Sequence, residues 1–289
     1  MGADQNRFGW PDGGSALPRP AGWTGQRLPL WLKFSMGLVA VMALGMAAGA
    51  AWLSWTGRPA TGVPLAAGAL FLGHVVGLST RVWWTGRRSS RTKTLTATPD
   101  GTKGVTFIYS AWSYYWVTAV LAMTELVAAA VTVGAALSAT IVGVVMAVVI
   151  GVLAMVVGWF LVTMLRLAPG KIILSPTGVY HRGLTSTQFI PWHAIVAVSA
   201  EWIGTPIIAV KAFPSQDTRV RRYMGRFGSG EVQFLPIMVI RTAWLATDPT
   251  TVYSALSFYH AYPDLRAELA TPDALDRISS GRAVGQQQP

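Results

Sequence analysis

The sequence predicts a membrane protein of four transmembrane helices, arranged as two hairpins, carrying a cytoplasmic α+β domain that closes on a C-terminal helix. Three observations lead there. Four apolar runs of 22 to 26 residues fill most of the chain before position 166. Only 12% of the 289 residues are charged and 52% are hydrophobic, too little charge to clothe a soluble protein of this size. From Pro169 onward the composition changes to short alternating or β-branched stretches separated by turn residues. A disordered chain and an ordinary soluble enzyme are both excluded.

Residues 1–28 are rich in Gly and Pro, as in Trp10-Pro11-Asp12-Gly13-Gly14, and lack periodicity, so a flexible N-terminal tail is expected. Phe34–Trp55 then runs 22 residues without a charge, and Val63–Trp84 runs another 22 interrupted by His74 and Arg81. Ala111–Ala136 spans 26 residues with Glu125 as its one charge, and Thr140–Leu165 spans 26 with none. Each exceeds the ~18 residues that separate a membrane span from a buried helix, and in hydrocarbon such segments must satisfy their own backbone as helices. The first run is too long for a signal-peptide core and follows some 33 residues, so an uncleaved anchor is expected. These helices form a membrane domain over residues 29–166.

The loops orient the helices. Arg7, Arg19, Arg27 and Lys33 precede the first run; Arg87, Arg88, Arg91, Lys93 and Lys103 follow the second; Arg166 and Lys171 follow the fourth. The other two connections carry only Arg58 between them, which puts both termini on the cytoplasmic side. Trp31, Trp83, Trp84, Trp112, Trp116 and Trp159 fit one membrane interface, and Trp52 and Trp55 the other. Between the second and third helices, Thr92–Ala97 and Gly104–Tyr109 alternate around Pro99-Asp100-Gly101, the pattern of a short β-hairpin near 92–109 that could dock on the C-terminal domain.

In residues 167–270 the pattern is that of a small β-rich domain. Lys171–Leu174 and Val179–Gly183 flank the turn Ser175-Pro176-Thr177-Gly178. Gln188–Trp192, Ile195–Trp202, Pro206–Phe213 and Val232–Arg241 supply further strands. Asp248 is a good N-cap with Pro249 at the first helical position, and Val252, Ala255, Leu256 and Tyr259 mark one helical face before Pro263 ends it. Residues 271–289 are expected to be a flexible tail.

Three segments in this region carry a resemblance: Ile172-Ile173-Leu174-Ser175-Pro176-Thr177-Gly178-Val179-Tyr180, Ile190-Pro191-Trp192-His193-Ala194-Ile195, and Pro206-Ile207-Ile208-Ala209-Val210. With the terminal helix and Tyr262-Pro263-Asp264-Leu265-Arg266, they resemble the bacterial pleckstrin-homology-like (PH-like) domain of actinobacterial membrane proteins over about 100 residues. Ser215–Gly230 is an insertion relative to that pattern. The resemblance implies a seven-stranded bent sheet, a small β-barrel with a capping helix, used for binding or scaffolding.

Two sets of residues are candidates for function. His74 lies nine residues before Trp83 and Glu125 nine after Trp116, so in antiparallel helices they are expected to meet at one depth as an intramembrane polar pair. Such a pair serves either a proton-coupled or ligand-gated site or simple helix registry. The basic stretch Lys211–Arg226 holds Lys211, Arg219, Arg221, Arg222 and Arg226 against Asp217 alone, with Tyr223 and Phe227 interleaved. It is read as a loop for anionic lipid or a partner, or as a solvated loop obeying the positive-inside rule. The glycine pairs Gly45/Gly49 and Gly73/Gly77 are GxxxG matches, and Gly143, Ala147 and Gly151 repeat at four, for packing within the bundle or between protomers.

Nothing in the chain matches a catalytic motif. Gly225-Arg226-Phe227-Gly228-Ser229-Gly230 lacks the lysine and context of a phosphate loop, and His181, His193 and His260 are dispersed. With no cysteine, thiolate chemistry is excluded. The expectation is a non-enzymatic scaffold or adaptor without cofactor or metal, presenting its PH-like domain to a protein partner or a second copy, with anionic lipid in contact. A small transporter or channel component using His74 and Glu125 is the alternative, and a membrane-embedded lipid-modifying enzyme a third reading. The formal net charge of +11 divides into +2 over residues 1–33, +4 over 85–110 and +3 over 167–289, so topology accounts for most of it without nucleic acid.

Overall fold

Apolar runs that cannot borrow hydrogen bonds from solvent close them internally, and all four are helices: α1 Leu30–Trp55, α2 Pro59–Trp83, α3 Ala111–Leu137 and α4 Ile141–Leu167. The computed structural model describes Leu17 and residues 19–23, 29–83, 93–224 and 237–283. Trp84, the arginines at 87, 88 and 91, Arg226, the glycine-rich tip and the first half of the 232–241 strand lie outside the described residues. The chain forms two compact units: Arg27–Trp83 with Ala111–Ala168, and Met1–Gln26 with Trp84–Ser110 and Pro169–Pro289.

In the helical unit α1 packs on α2, α2 on α3 and α3 on α4. Gly57, at φ +77°, turns the chain between α1 and α2. At the second hairpin Ala139 takes φ +53°, and Thr140 caps α4 by accepting from the Gly143 amide at 3.0 Å. All four helices are long and apolar enough to cross a membrane. Their large apolar side chains point outward, Leu44, Leu126, Val142 and Val148 among them, which is the surface hydrocarbon requires. Trp31, Trp52, Trp55 and Trp112 stand exposed near helix ends, where an indole suits a membrane interface.

The second unit is an antiparallel α+β fold. Its strands are β1 Lys93–Ala97, β2 Lys103–Ile108, β3 Lys171–Leu174, β4 Gly178–Arg182, β5 Ser186–Pro191, β6 Ile195–Ile203, β7 Thr205–Ala212, β8 Arg219–Arg222 and β9 Ile237–Arg241. They build a six-stranded sheet in the order β1-β2-β3-β4-β5-β8 and a three-stranded sheet β6-β7-β9. Gly101, at φ +81°, makes the β1–β2 turn, and β2 pairs with β3 from Val105↔Leu174 to Ile108↔Lys171. The hairpin between α2 and α3 is therefore part of the sheet unit, not of the helical domain to which the sequence assigns it. The segment 171–241 contributes seven described strands, but they divide between two sheets instead of forming the single bent one the resemblance implies.

Val105, Phe107, Ile172, Leu174, Val179 and Ile190 form the core side of the larger sheet, and Ile208, Val210, Met238 and Ile240 that of the smaller. Helix α5, Pro249–Ala261, starts where Asp248 Oδ1 accepts from the Thr250 amide at 2.8 Å and buries Val252, Ala255, Leu256 and Tyr259, the face read from the sequence.

Both expected tails need correction. Ala21–Trp23 forms a 3₁₀ turn against β6, and the Trp23 indole donates to the carbonyls of Glu201 and Ile207 at 3.1 and 3.0 Å. Beyond α5, a 3₁₀ segment Pro263–Ala270 leads into α6, Pro272–Ser279, which buries Ala274 and Ile278. Arg277 binds Glu268 through Nε at 2.6 Å and Nη2 at 3.0 Å. Two apolar residues at i, i+4 are too weak a periodic signal to announce a helix; the core beneath them supplies the stability.

Candidate functional site

Within the helical unit, the α2–α3 register decides where the polar residues sit. Gly77 lies against Trp116 so closely that a Cβ would run into the ring, and Arg81 Nε donates to Ser113 Oγ at 3.3 Å. In that register Glu125 lies about six residues, or about 9 Å, deeper than His74. The expected His74–Glu125 pair is not formed. Trp116 is a poor depth gauge because α3 already begins at Ala111.

Each residue has other surroundings. His74 Nδ1 donates to the Leu70 carbonyl at 2.8 Å, and its Nε2 meets the Tyr115 hydroxyl at 3.2 Å. A carbonyl only accepts, so in the neutral ring Nε2 accepts from Tyr115. The rings of Tyr115 and Trp116 lie 6.0 and 5.3 Å from the imidazole, centre to centre. Glu125 faces α4 instead, with Oε1 3.3 Å from the place a Cβ on Gly158 would take, and its buried Oε2 has no hydrogen-bond partner among the described residues. Gly158, a helix-packing glycine, is what makes room for the carboxylate.

The basic stretch is also rearranged. Lys211 lies on β7 of the three-stranded sheet, with Nζ 2.7 Å from Glu201 Oε1. Hydrogen bonds from Lys211 and then Ser199 hold the Glu201 carboxyl below its ordinary value. Arg219, Arg221 and Arg222 are not in a loop: Arg219–Arg222 is β8, paired with β5, because Val220 enters the register opposite buried Gln188. Arg219 Nη1 binds Asp100 Oδ1 in the β1–β2 turn at 3.0 Å, and the Arg221 guanidinium lies over the Tyr223 ring at 5.1 Å from its centre. Arg222 is exposed.

Two further cations escaped sequence reasoning. Lys171 opens β3 and Arg182 closes β4, and the strands pair Lys171↔Arg182, Arg182↔Thr187 and Thr187↔Arg221. Directly opposed residues share a face of a sheet, so three cations stand in one line across four strands. The turn Ser175–Gly178 between the first two strands was the available signal for the Lys171–Arg182 pairing. Arg221 joins them only through strand order, which no local pattern reports.

On the core face of the same sheet His181 is buried, and its Nε2 shares a hydrogen bond of 2.6 Å with the hydroxyl of Tyr109. Burial pushes the imidazole down to about 4. His193 is exposed beside Asp217 at 3.6 Å, and His260 Nε2 meets the Val196 carbonyl at 3.2 Å. The three histidines are thus separate from one another.

Ser175, Trp192 and Arg266 come together from separate segments of the sheet unit. Trp192 Nε1 donates to the Ser175 carbonyl at 2.7 Å, and the Arg266 guanidinium lies over the Trp192 ring at 4.9 Å. Arg266 also donates to the carbonyls of Tyr259 and His260 at 2.7 and 3.0 Å, closing the C-terminus of α5. Comparisons of the chain with protein-family models, with curated proteins and with solved structures found no match.

Proposed function

We propose that the protein is a membrane-anchored scaffold. Its four helices cross a bacterial inner membrane with both termini cytoplasmic, and its sheet unit is a PH-like domain that offers a surface to a protein partner with anionic lipid in contact. The observation that carries this reading is the assembly of the sheet unit from segments before α1, between α2 and α3, and after α4. A folded sheet cannot be divided by a bilayer, so these segments share one side of any membrane the helices cross. That side has most of the basic excess, as the cytoplasmic side does. Four chain passages join the sheet unit to the helical one. The PH-like identity is supported by seven strands followed by a helix, and by the Ser175–Trp192–Arg266 stack.

The test is quantitative co-purification of the full-length protein in mild detergent, followed by mass spectrometry. The scaffold reading expects His74→Leu/Glu125→Gln to keep the wild-type partner and deletion of residues 92–109 to lose it. The reverse result refutes it. The transporter reading draws on one observation, the buried Glu125 Oε2 within a span, which has no hydrogen-bond partner among the described residues. It expects proton or solute flux in proteoliposomes that Glu125→Gln abolishes.

A further inference from the structure

We infer that β8 is a docking edge for an extended acidic peptide, which adds to the six-stranded sheet as a further strand. The inference rests on the scaffold reading and names the chemistry of the partner segment.

β8 ends the sheet on the side opposite β1, pairing with β5 along one edge only. Antiparallel strands exchange hydrogen bonds through alternate residues. The Tyr223 amide donates to the Thr185 carbonyl at 3.0 Å, which sets the alternation, so Arg219, Arg221 and Tyr223 turn their backbone groups toward β5. The amides and carbonyls of Val220 and Arg222 therefore point out of the sheet, and no described residue bonds to them. Two other edges have neighbours: α6 packs against β1, and Ala21–Trp23 against β6, whose Val196 carbonyl also meets His260.

The side chains choose the charge of the added strand. Arg219 and Arg221 share one face of β8 and Arg222 takes the other, all three exposed. Arg219 already meets a carboxylate, Asp100 Oδ1 at 3.0 Å, with the two side chains 70% and 50% in solvent. A pair that exposed is weak enough to exchange for a carboxylate on an incoming strand. Arg221 lies over the Tyr223 ring at 5.1 Å, a contact that orients the guanidinium without neutralising it. Directly opposed residues of paired strands lie about 5 Å apart at Cβ, within reach of an arginine–glutamate pair. Charge on a short edge keeps stray strands off, and the same charge admits an acidic one. The outward backbone chooses the class of partner. Two amides and two carbonyls at strand spacing are matched together by another extended chain, whereas a phosphate only accepts and leaves the carbonyls unmet.

The experiment uses the full chain in a neutral detergent and a fluorescent hexapeptide, Thr-Glu-Glu-Val-Glu-Thr, whose acids oppose the arginines when it runs antiparallel to β8. Binding is followed by anisotropy. Arg221→Glu/Arg222→Glu should weaken it on the order of a hundredfold, and Lys103→Glu, elsewhere on the sheet unit, should leave it unchanged. Val220→Pro removes one outward amide while sparing the bonds to β5, and should weaken binding on the order of tenfold. The same peptide methylated on its backbone nitrogens should bind as weakly to the wild-type protein, which needs no variant to fold. In hydrogen exchange the Val220 and Arg222 amides should gain protection with peptide, and the Arg221 amide should not change. Equal binding of the methylated peptide overturns the proposal, as does an absence of protection at both amides. Displacement of the peptide by dioctanoyl phosphatidylglycerol at equal concentration also overturns it and makes the edge a headgroup site. A partner that co-purifies undiminished with both β8 variants refutes the inference and leaves the scaffold reading standing. If no partner co-purifies with the wild-type protein and no peptide binds, both fall.

Discussion

The Tyr109 hydroxyl and His181 Nε2 share a hydrogen bond of 2.6 Å in the interior of the sheet unit, tying the end of the α2–α3 hairpin to the centre of β4. Tyr109 also stacks on Trp244, with ring centres 6.4 Å apart, and its amide donates to the Gly170 carbonyl at 2.8 Å. A single residue thus joins the inter-helix loop to the chain leaving α4.

The burial of His181 makes stability depend on pH. His181 titrates at about 4 in the folded protein and near its ordinary 6.5 when unfolded. Above pH 6.5 both states are neutral and the full stability is present. As pH falls, the unfolded chain takes up a proton that the folded one refuses, so stability drops until about 4. The loss totals about 3 kcal/mol, at about 1.4 kcal/mol per pH unit. Denaturation midpoints of the full-length protein in neutral detergent should fall between about pH 7 and 5, and His181→Gln should flatten that slope. An unchanged slope in the variant would assign the effect elsewhere.

Tyr109→Phe keeps the ring and removes the hydroxyl, leaving a buried imidazole nitrogen without its partner. A cost of about 1–3 kcal/mol is expected in chemical denaturation at neutral pH. A variant as stable as wild type would show that the bond contributes nothing.

Truncation before Pro272 tests the C-terminal segment. It removes Ile278, buried to 2% exposure, and the Arg277 partner of Glu268, which also accepts from Tyr259 at 2.8 Å. Burial pulls the Glu268 carboxyl upward, and hydrogen bonds from Arg277 and Tyr259 outweigh it, holding the group below its ordinary value. Without Arg277 a half-buried carboxylate loses its cation. The shortened protein should lose on the order of 3 kcal/mol, whereas removal of residues 284–289 alone should be neutral. Equal melting temperatures for both truncations would restore the reading of a dispensable tail.

Trp23→Phe retains the ring beside Tyr253, 5.9 Å away centre to centre, but cannot donate to Glu201 and Ile207. Hydrogen exchange and protease cleavage around residues 19–23 should accelerate, with the four long helices unaffected. Protection equal to wild type would mean that the indole N–H does not hold the segment.

Two glycines four residues apart give the last contrast. Gly77 has the Trp116 ring where its Cβ would be, and Gly73 has open space. Gly77→Val should destabilise the bundle by about 1–3 kcal/mol and Gly73→Val by little, measured as unfolding in mixed micelles. The opposite ranking would place a second protomer, and not α3, on that face.

The legible parts of this chain were those set by local composition and length. Each apolar run is its own evidence for a helix, because hydrocarbon leaves the backbone no other partner. Asp248-Pro249 starts α5 through a contact two residues long, and Gly101 turns the hairpin through its own φ. The His74–Glu125 expectation failed because depth was counted from tryptophans, while the actual register depends on Gly77 meeting Trp116 across two helices.

By itself the sequence determined four spanning-length helices, the hairpin between the second and third, most strands and the capped helix after them. These depend on hydrophobic period, chain length and turn chemistry, all of which act over a few residues. Tertiary structure alone decided that the hairpin completes the C-terminal sheet, that Trp23 and α6 belong to that unit, and that Glu125 faces Gly158. It also aligned Lys171, Arg182 and Arg221 from three strands. Strand order and helix register arise from burial shared between segments far apart in the chain, and that energy has no signature in any one of them.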